Sequence, residues 1–485
     1  MQSEHTKKKV IHGLFWRYLE RTIAQGIQLA VSLVLARLLM PEEYGMMSLV
    51  TVFINIALVF VQSGFGNALI QKKEANHEDF STVFYFSILF GVALYVLMFL
   101  AAPWISGFYR YEGLTPVIRV LSLSLILAGI NNVQQAYVSR TMQFKKFFFS
   151  TVFGSILSAV TGIGAALAGL GIWALVIQQL TNQLTDTLIL WITVGWRPRR
   201  EFSLSSMKEI YNYGWKLLCS SLLDTVYNNL YTLVIGKRFS SSQVGYFDKG
   251  RQFPSLIIVN INATIQSVMF PALSSQQTDQ KRLKAMTRRA ITTSTFLIFP
   301  CMMGLAVTAE PLILLLLTKK WLPAVKFLQC YCLIYALWPV HTANLQAINA
   351  VGRSDLYLKL ELIKKGTGLL ILLITLPVGL DAMMAGSCVN AFIGLFLNAL
   401  PNSRLLGYSL RELLKDLAPS GFLSLVMGGV VFAAGLFITN PLFKLLVQIP
   451  TGILCYVLTA SLFQAESFNY IKDILKQIRV RKNES

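Results

Sequence analysis

Charge is scarce in this chain. Asp, Glu, Lys and Arg make up 14% of its 485 residues, where a soluble domain carries about 25%. Cysteine is thin as well. The six cysteines all fall within apolar runs, no C-x-x-C pair occurs, and the four histidines are scattered. That argues against both a metal centre and a disulfide framework. There is no G-x-x-x-x-G-K-[ST] loop, so ATP binding of the P-loop kind is excluded and no cofactor is expected. No nucleophile–base constellation is visible. His341, in "WPVHTAN", stands alone and reads as a packed helix residue. No connection is long enough to house a catalytic domain, so an enzyme is not expected. Strict apolar–polar alternation is missing too, which excludes a β-barrel.

What the chain has in abundance is apolar length. Hydrophobic residues make up 54% of it, and the mean hydropathy is +0.57. Runs of about twenty residues, each long enough to cross a bilayer, recur from end to end. They predict an all-α polytopic membrane protein. We count fourteen spans, near 13–39, 46–69, 80–102, 116–138, 147–167, 171–194, 211–236, 246–272, 289–316, 323–347, 356–379, 381–401, 418–438 and 443–463. The opening "MQSEHTKKKV" is short, polar and basic, with no cleavage site after the first apolar run. The first helix is therefore expected to direct insertion itself.

The net charge of +20 is explained by where the cations fall. The two termini and the even-numbered connections hold 27 Lys and Arg, the odd-numbered ones 5. That asymmetry places both termini in the cytoplasm. It reads as topology and attraction to anionic lipid, not as a nucleic-acid footprint. The C-terminal "SFNYIKDILKQIRVRKNES" sets Phe468, Ile471, Leu475 and Ile478 on one helical face among basic residues. It suits a helix lying on the inner leaflet.

A weak repeat organises the spans. "LARLLMPEEYGMMSL" (35–49) aligns with "IGKRFSSSQVGYFDK" (235–249), "FLAAPWI" (99–105) with "VTAEPLI" (307–313), and "LTPVIRVL" (114–121) with "WLPAVKFL" (321–328). Six spans separate equivalent points, an even number, so equivalent helices cross in the same direction. This predicts two parallel six-helix lobes around a central cavity. The expected boundaries are 1–195 for the first lobe, 196–403 for the second, 404–466 for two extra helices and 467–485 for the basic tail.

Polar residues inside the spans concentrate in the repeat. On the first span Arg17, Arg21, Gln25 and Gln28 form one stripe, with Glu20 beside it. The eighth holds Asp248, Lys249 and Arg251, with Arg251, Ser255, Asn262 and Gln266 along one face. The seventh holds Lys216, Asp224, Asn228 and Tyr231; the second, Asn55 and Gln62. An ionised group facing lipid costs about 2.5–3.5 kcal/mol even on lenient scales. Grouped charges are therefore expected to face a wet interior with a cationic bias. Such a cavity suits an anionic, hydroxyl-rich ligand, because arginine offers a planar fork to phosphate oxygens and amides serve sugar hydroxyls. Glu20, Asp224 and Asp248 are candidates for coupling a proton or Na⁺.

The stretches "GLFWRYLERTIAQGIQLAVSLVLARLLMPEEYGMMSLVTVF", "GFGNALIQKK", "LAAPWISGFYR" and "VSRTMQFKKF" resemble the polysaccharide transporters of the multidrug/oligosaccharidyl-lipid/polysaccharide superfamily. These are the Wzx-type flippases, here of the colanic-acid exporter subgroup. The resemblance implies a multi-pass protein of the bacterial cell membrane, working by alternating access. Its substrate would be an undecaprenyl-pyrophosphate-linked glycan, and its partners the glycosyltransferases and polymerase of the same pathway. It also implies that Arg17 and Arg21 on the first span, and Lys249 and Arg251 on the eighth, engage the pyrophosphate. Two rival readings stand beside it: an ion-coupled efflux antiporter on the same fold, and a non-transporting scaffold of a glycan-assembly complex.

Overall fold

A computed structural model describes residues 2–62, 65–72, 75–277, 279–463, 466–470 and 472–473. Every element among them is helical: α1 (Gln2–Leu38), α2 (Pro41–Gln62), α3 (Phe65–Gln71), α4 (His77–Tyr109), α5 (Leu114–Leu121), α6 (Leu123–Arg140), α7 (Phe144–Leu167), α8 (Ile172–Thr193), α9 (Leu204–Arg238), α10 (Ser241–Ser274), α11 (Gln280–Val307), α12 (Ala309–Leu316), α13 (Ala324–Ala336), α14 (Trp338–Ala350), α15 (Ser354–Thr375), α16 (Leu380–Leu405), α17 (Leu410–Gly435) and α18 (Pro441–Leu462).

Each of the fourteen expected spans coincides with a helix or a broken helix. Three are broken. Ser122 separates α5 from α6, and its hydroxyl donates to Ile118 O at 2.6 Å. Thr308 separates α11 from α12, and its hydroxyl donates to Gly304 O at 2.7 Å. Both are back-bonds that compete with the main-chain ladder and bend it. Between α13 and α14, Pro339 sits in the first turn of the new helix, where its missing N–H costs nothing.

Nine helices among the described residues are long and apolar enough to cross a membrane, counting α5–α6 as one. The other five expected spans are α1, α8, α9, α13–α14 and α15. Most of them carry the polar side chains: Arg17, Glu20 and Arg21 on α1, Asp224 and Asn228 on α9, and Glu361, Lys364 and Lys365 on α15. Polar residues lower hydropathy where a function needs them.

Helix boundaries carry the repeat. The corner between Leu38 and Pro41 recurs two hundred residues later between Arg238 and Ser241. The broken pair α5–α6 is matched by the broken pair α13–α14.

By internal contacts the chain divides into two compact units, Met1–Gly245 and Tyr246–Ser485. In the first, α7 packs on both α1 and α8, α6 on α4 and α8, and α9 on α2, α3 and α4. An aromatic cluster of Phe80, Phe84 and Trp196 anchors it. In the second, α11 packs on α13, α14 and α17, α16 on α13, α14 and α15, and α18 covers α17 and α12. Tyr456 on α18 donates to Phe296 O at 2.7 Å.

Several of the basic loop residues are structural staples. Arg140 donates to the carbonyls of Leu69 at 2.6 Å and Lys72 at 2.5 Å, closing the end of α3. Lys72 pairs with the buried Asp79 at 3.0 Å. In the second unit Lys284 meets Glu412 at 2.9 Å and Arg288 meets Asp416 at 2.9 Å. Tyr408 donates to the same Asp416 at 2.8 Å. Burial first, and then that carboxylate, push the Tyr408 phenol up. The expected tail helix lies largely outside the described residues. Its described part meets α11: the Phe468 ring lies 6.4 Å from Phe296, and Arg289 stands 4.5 Å over Tyr470.

Candidate functional site

The neighbour of α1 divides its polar stripe. Glu20 turns onto α7 and is 7% exposed. One carboxylate oxygen accepts from Arg17 Nη1 at 2.6 Å, the other from Thr151 Oγ1 at 3.2 Å. Arg17 also lies 5.0 Å from the Phe147 ring centroid, a cation–π distance. Arg17 is thus neutralised and held, and Glu20 is already engaged by a cation and a hydroxyl. Arg21, a turn deeper, is exposed and has no ion-pair or hydrogen-bond partner among the described residues. Gln25 is half-buried and engaged, and Gln28 is exposed. Arg21, Gln25 and Gln28 carry the stripe onward without Arg17.

α10 is set close to α13 by Gly250. A Cβ there would meet Phe327 Cβ at 2.6 Å and Ala324 O at 2.9 Å. This approach puts Phe247 and Arg251 beside a ladder of rings that runs from α13 onto the first residue of α14. Phe247 lies 5.6 Å from Tyr331, Tyr331 lies 5.3 Å from Tyr335, and Tyr335 stacks on Trp338 at 5.0 Å and 14°. The Arg251 guanidinium stands beside Tyr331 and Tyr335 and 3.5 Å from Asp248, with 32% of its side chain exposed. Lys249 is turned inward at 5% exposure, and its Nζ donates to Gln252 Oε1 at 3.1 Å. Asn262 is buried with its Oδ1 unpartnered, whereas Gln266 is exposed. Of the expected cationic pair, Arg251 is the one that remains accessible.

Two features escaped the sequence reading. One is the ladder of Tyr331, Tyr335 and Trp338, whose spacing along one helix face was the available signal. The other surrounds His341, which does not stand alone. Its Nδ1 lies 3.2 Å from Asn398 Nδ2. Its ring and the Lys364 side chain both close on Gly394, and Lys364 pairs with Glu361. The clue was Glu361 and Lys364 on the following span, read without a partner across the helices.

On α9, Asp224 is exposed and engaged. The next turn, Thr225, Asn228 and Asn229, lines a cavity of about 330 Å³ together with Asn55 and Gln62 of α2. The amides of the second and seventh spans are thereby brought to one place.

Chemically, the accessible groups are arginines tempered by one acid or by rings, and amides with unfilled bonding capacity. Such groups match phosphate oxygens and hydroxyls.

Comparison with known proteins shows the family and the fold. A family described as polysaccharide biosynthesis protein matches residues 34–326. The chain is similar to the teichuronic acid biosynthesis protein TuaB of Bacillus subtilis strain 168, 25% identical over 93% of this chain and 95% of the relative. It is also similar to the lipopolysaccharide biosynthesis protein WzxC of Escherichia coli strain K12, 25% identical over 90% and 89% of the two chains. In fold it matches the lipid II flippase MurJ in its inward closed conformation. The TM-score is 0.75, with 16% identity, over 93% of this chain and 98% of that one.

Proposed function

The chain belongs to the polysaccharide biosynthesis protein family, matched from residue 34 to residue 326, and from that premise we propose that it flips a lipid-linked glycan across a bacterial cell membrane. The substrate is an undecaprenyl-pyrophosphate-linked repeat unit of a cell-surface polysaccharide such as teichuronic acid. It moves from the cytoplasmic to the outer leaflet by alternating access, with both termini in the cytoplasm. The glycosyltransferases that build the repeat and the polymerase that consumes it are the working partners. The protein contributes binding and a path, not catalysis.

The observation that carries this reading is near-full-length similarity to two relatives whose names assign them to surface-polysaccharide biosynthesis. A shared fold alone would not suffice, since one fold hosts several cargoes. The side chains support the anionic head group. Arg21 on α1 is exposed with no ion-pair partner among the described residues, and Arg251 on α10 stands 3.5 Å from Asp248 with 32% of its side chain exposed. In the working cycle each offers a cation to phosphate oxygens, while Arg17 and Lys249 hold their helices in place.

Reconstitution tests it. Purified protein in liposomes receives undecaprenyl-pyrophosphate bearing a fluorescent glycan in one leaflet, and its appearance in the other is timed. We expect crossing with the wild type, and at least a tenfold slower rate with Arg21→Ala at equal protein content. A wild type that moves no lipid contradicts flipping and favours a scaffold role. An undiminished rate in Arg21→Ala contradicts the assignment of the phosphate.

A further inference from the structure

The cavity between α2 and α9 has no place in the phosphate chemistry described so far, and its walls are of a different kind. Its polar lining is Asn55 and Gln62 from α2, and Thr225, Asn228 and Asn229 from α9. Leu58 and Val59 complete it. No lining residue is charged. On α2 the residues stand at i, i+3, i+4 and i+7, on α9 at i, i+3 and i+4, so each helix offers one continuous face.

The opening follows from glycines at one end of the helix pair. A Cβ on Gly45 would fall 1.7 Å from Ser241 O, and one on Gly236 would fall 2.3 Å from Leu49 Cδ2. There α9 closes on the Leu49 side chain of α2, and α2 closes on Ser241 at the start of α10, because the glycines contribute no side chain of their own. Further along, from Asn55 to Gln62, larger amides face one another across about 330 Å³. That is room for about ten waters, at the small end of ligand pockets.

The amides of the lining are open to an incoming group, Gln62 and Asn228 being exposed and Asn55 half-buried. Asn55, Gln62 and Asn228 have no hydrogen-bond partner among the described residues. Asn229 Nδ2 donates to its own helix, to Thr225 O at 2.8 Å, and its Oδ1 remains. Asn55 lies fourteen residues into the 22-residue α2, about 21 Å along its axis from one end and about 10 Å from the other. Amides at such depth are tolerated where they meet water, protein or a polar ligand.

Neutral amides cannot compensate a phosphate, and without a carboxylate they hold a cation poorly. Each amide both donates and accepts, which is the complement of a hydroxyl. The aliphatic pair Leu58 and Val59 suits the C–H face of a sugar ring. We propose that this cleft is a saccharide subsite, taking an uncharged sugar residue of the cargo while its pyrophosphate is held elsewhere. The proposal rests on the flippase reading and adds which part of the cargo this face recognises.

The test compares two probes on the full chain in nanodiscs: undecaprenyl pyrophosphate, and the same lipid bearing a neutral trisaccharide. The wild type is expected to bind the glycosylated lipid about tenfold more tightly or better. Asn55→Leu combined with Asn228→Leu is expected to bring that ratio near one and to leave the affinity for the bare lipid unchanged. Should the double variant not fold, Asn55→Ala and Asn228→Ala serve singly, each lowering the ratio about two- to tenfold. A ratio that stays at the wild-type value, or two affinities that fall together, overturns the subsite. A wild type that binds neither lipid overturns the flippase reading itself.

Discussion

Arg17 and Arg21 sit one turn apart on the same helix and meet different fates. The carboxylate of Glu20 claims Arg17, and Thr151 on α7 fixes that carboxylate. Replacing Glu20 with Gln should therefore be felt as stability. Arg17 is left half-buried without its counter-charge, but its side chain keeps 38% exposure, so water screens it and the cost is about 1 kcal/mol. A thermal unfolding scan should report a lower Tm. An unchanged Tm would mean the pair contributes nothing. The spacing of the stripe was legible in the sequence, because helical periodicity is a local property. Which arginine is neutralised was not legible. That depends on Thr151, 131 residues away, and on which face of α1 meets α7. Lys249 and Arg251 repeat the lesson. Two residues apart, they point to opposite sides, and only packing against α13 tells which one stays accessible.

At the scale of elements, the apolar runs located the spans and missed the breaks within them. The interruptions at Ser122, Thr308 and Leu337 lie in apolar surroundings, where a window average sees nothing. The cause is a hydroxyl back-bond or a proline one or two residues away. The close contact of α2 with the α9–α10 corner depends on a different kind of signal, the absence of a side chain. Gly45→Val would drive a methyl-bearing carbon into the Ser241 carbonyl. We expect the variant to lose its monodisperse peak on size-exclusion chromatography. Gly26→Ala should keep it, since a Cβ at that position meets nothing within 4 Å. A well-folded Gly45→Val would show that the corner tolerates separation. The aromatic ladder on α13 and α14 also belongs to this scale. Its members are unremarkable one by one and gain meaning when Phe247 and Arg251 arrive from α10.

For the whole molecule, the repeat is the feature that sequence and structure share most closely. Short peptide matches at offsets near two hundred correspond to helix corners at the same offset. Duplication preserves lengths and turns even after side chains diverge. The two arginines stand on helices that the repeat does not equate, Arg21 on α1 and Arg251 on α10, the counterpart of α2. Charged and amide side chains inside the spans were legible in the sequence, since composition is a local property. The gathering of Asn55 and Gln62 with Asn228 and Asn229 was not, because it comes about only on folding.

The central claim is that Arg21 and Arg251 meet phosphate in water within the membrane. Cysteine labelling addresses it directly, in a chain freed of its six native cysteines and carrying Arg21→Cys or Arg251→Cys in native membrane vesicles. A charged, membrane-impermeant maleimide applied to opened vesicles should modify both positions. Added undecaprenyl-pyrophosphate glycan should slow both reactions severalfold. Positions that resist the reagent, or that react equally fast with and without the lipid, would contradict the account.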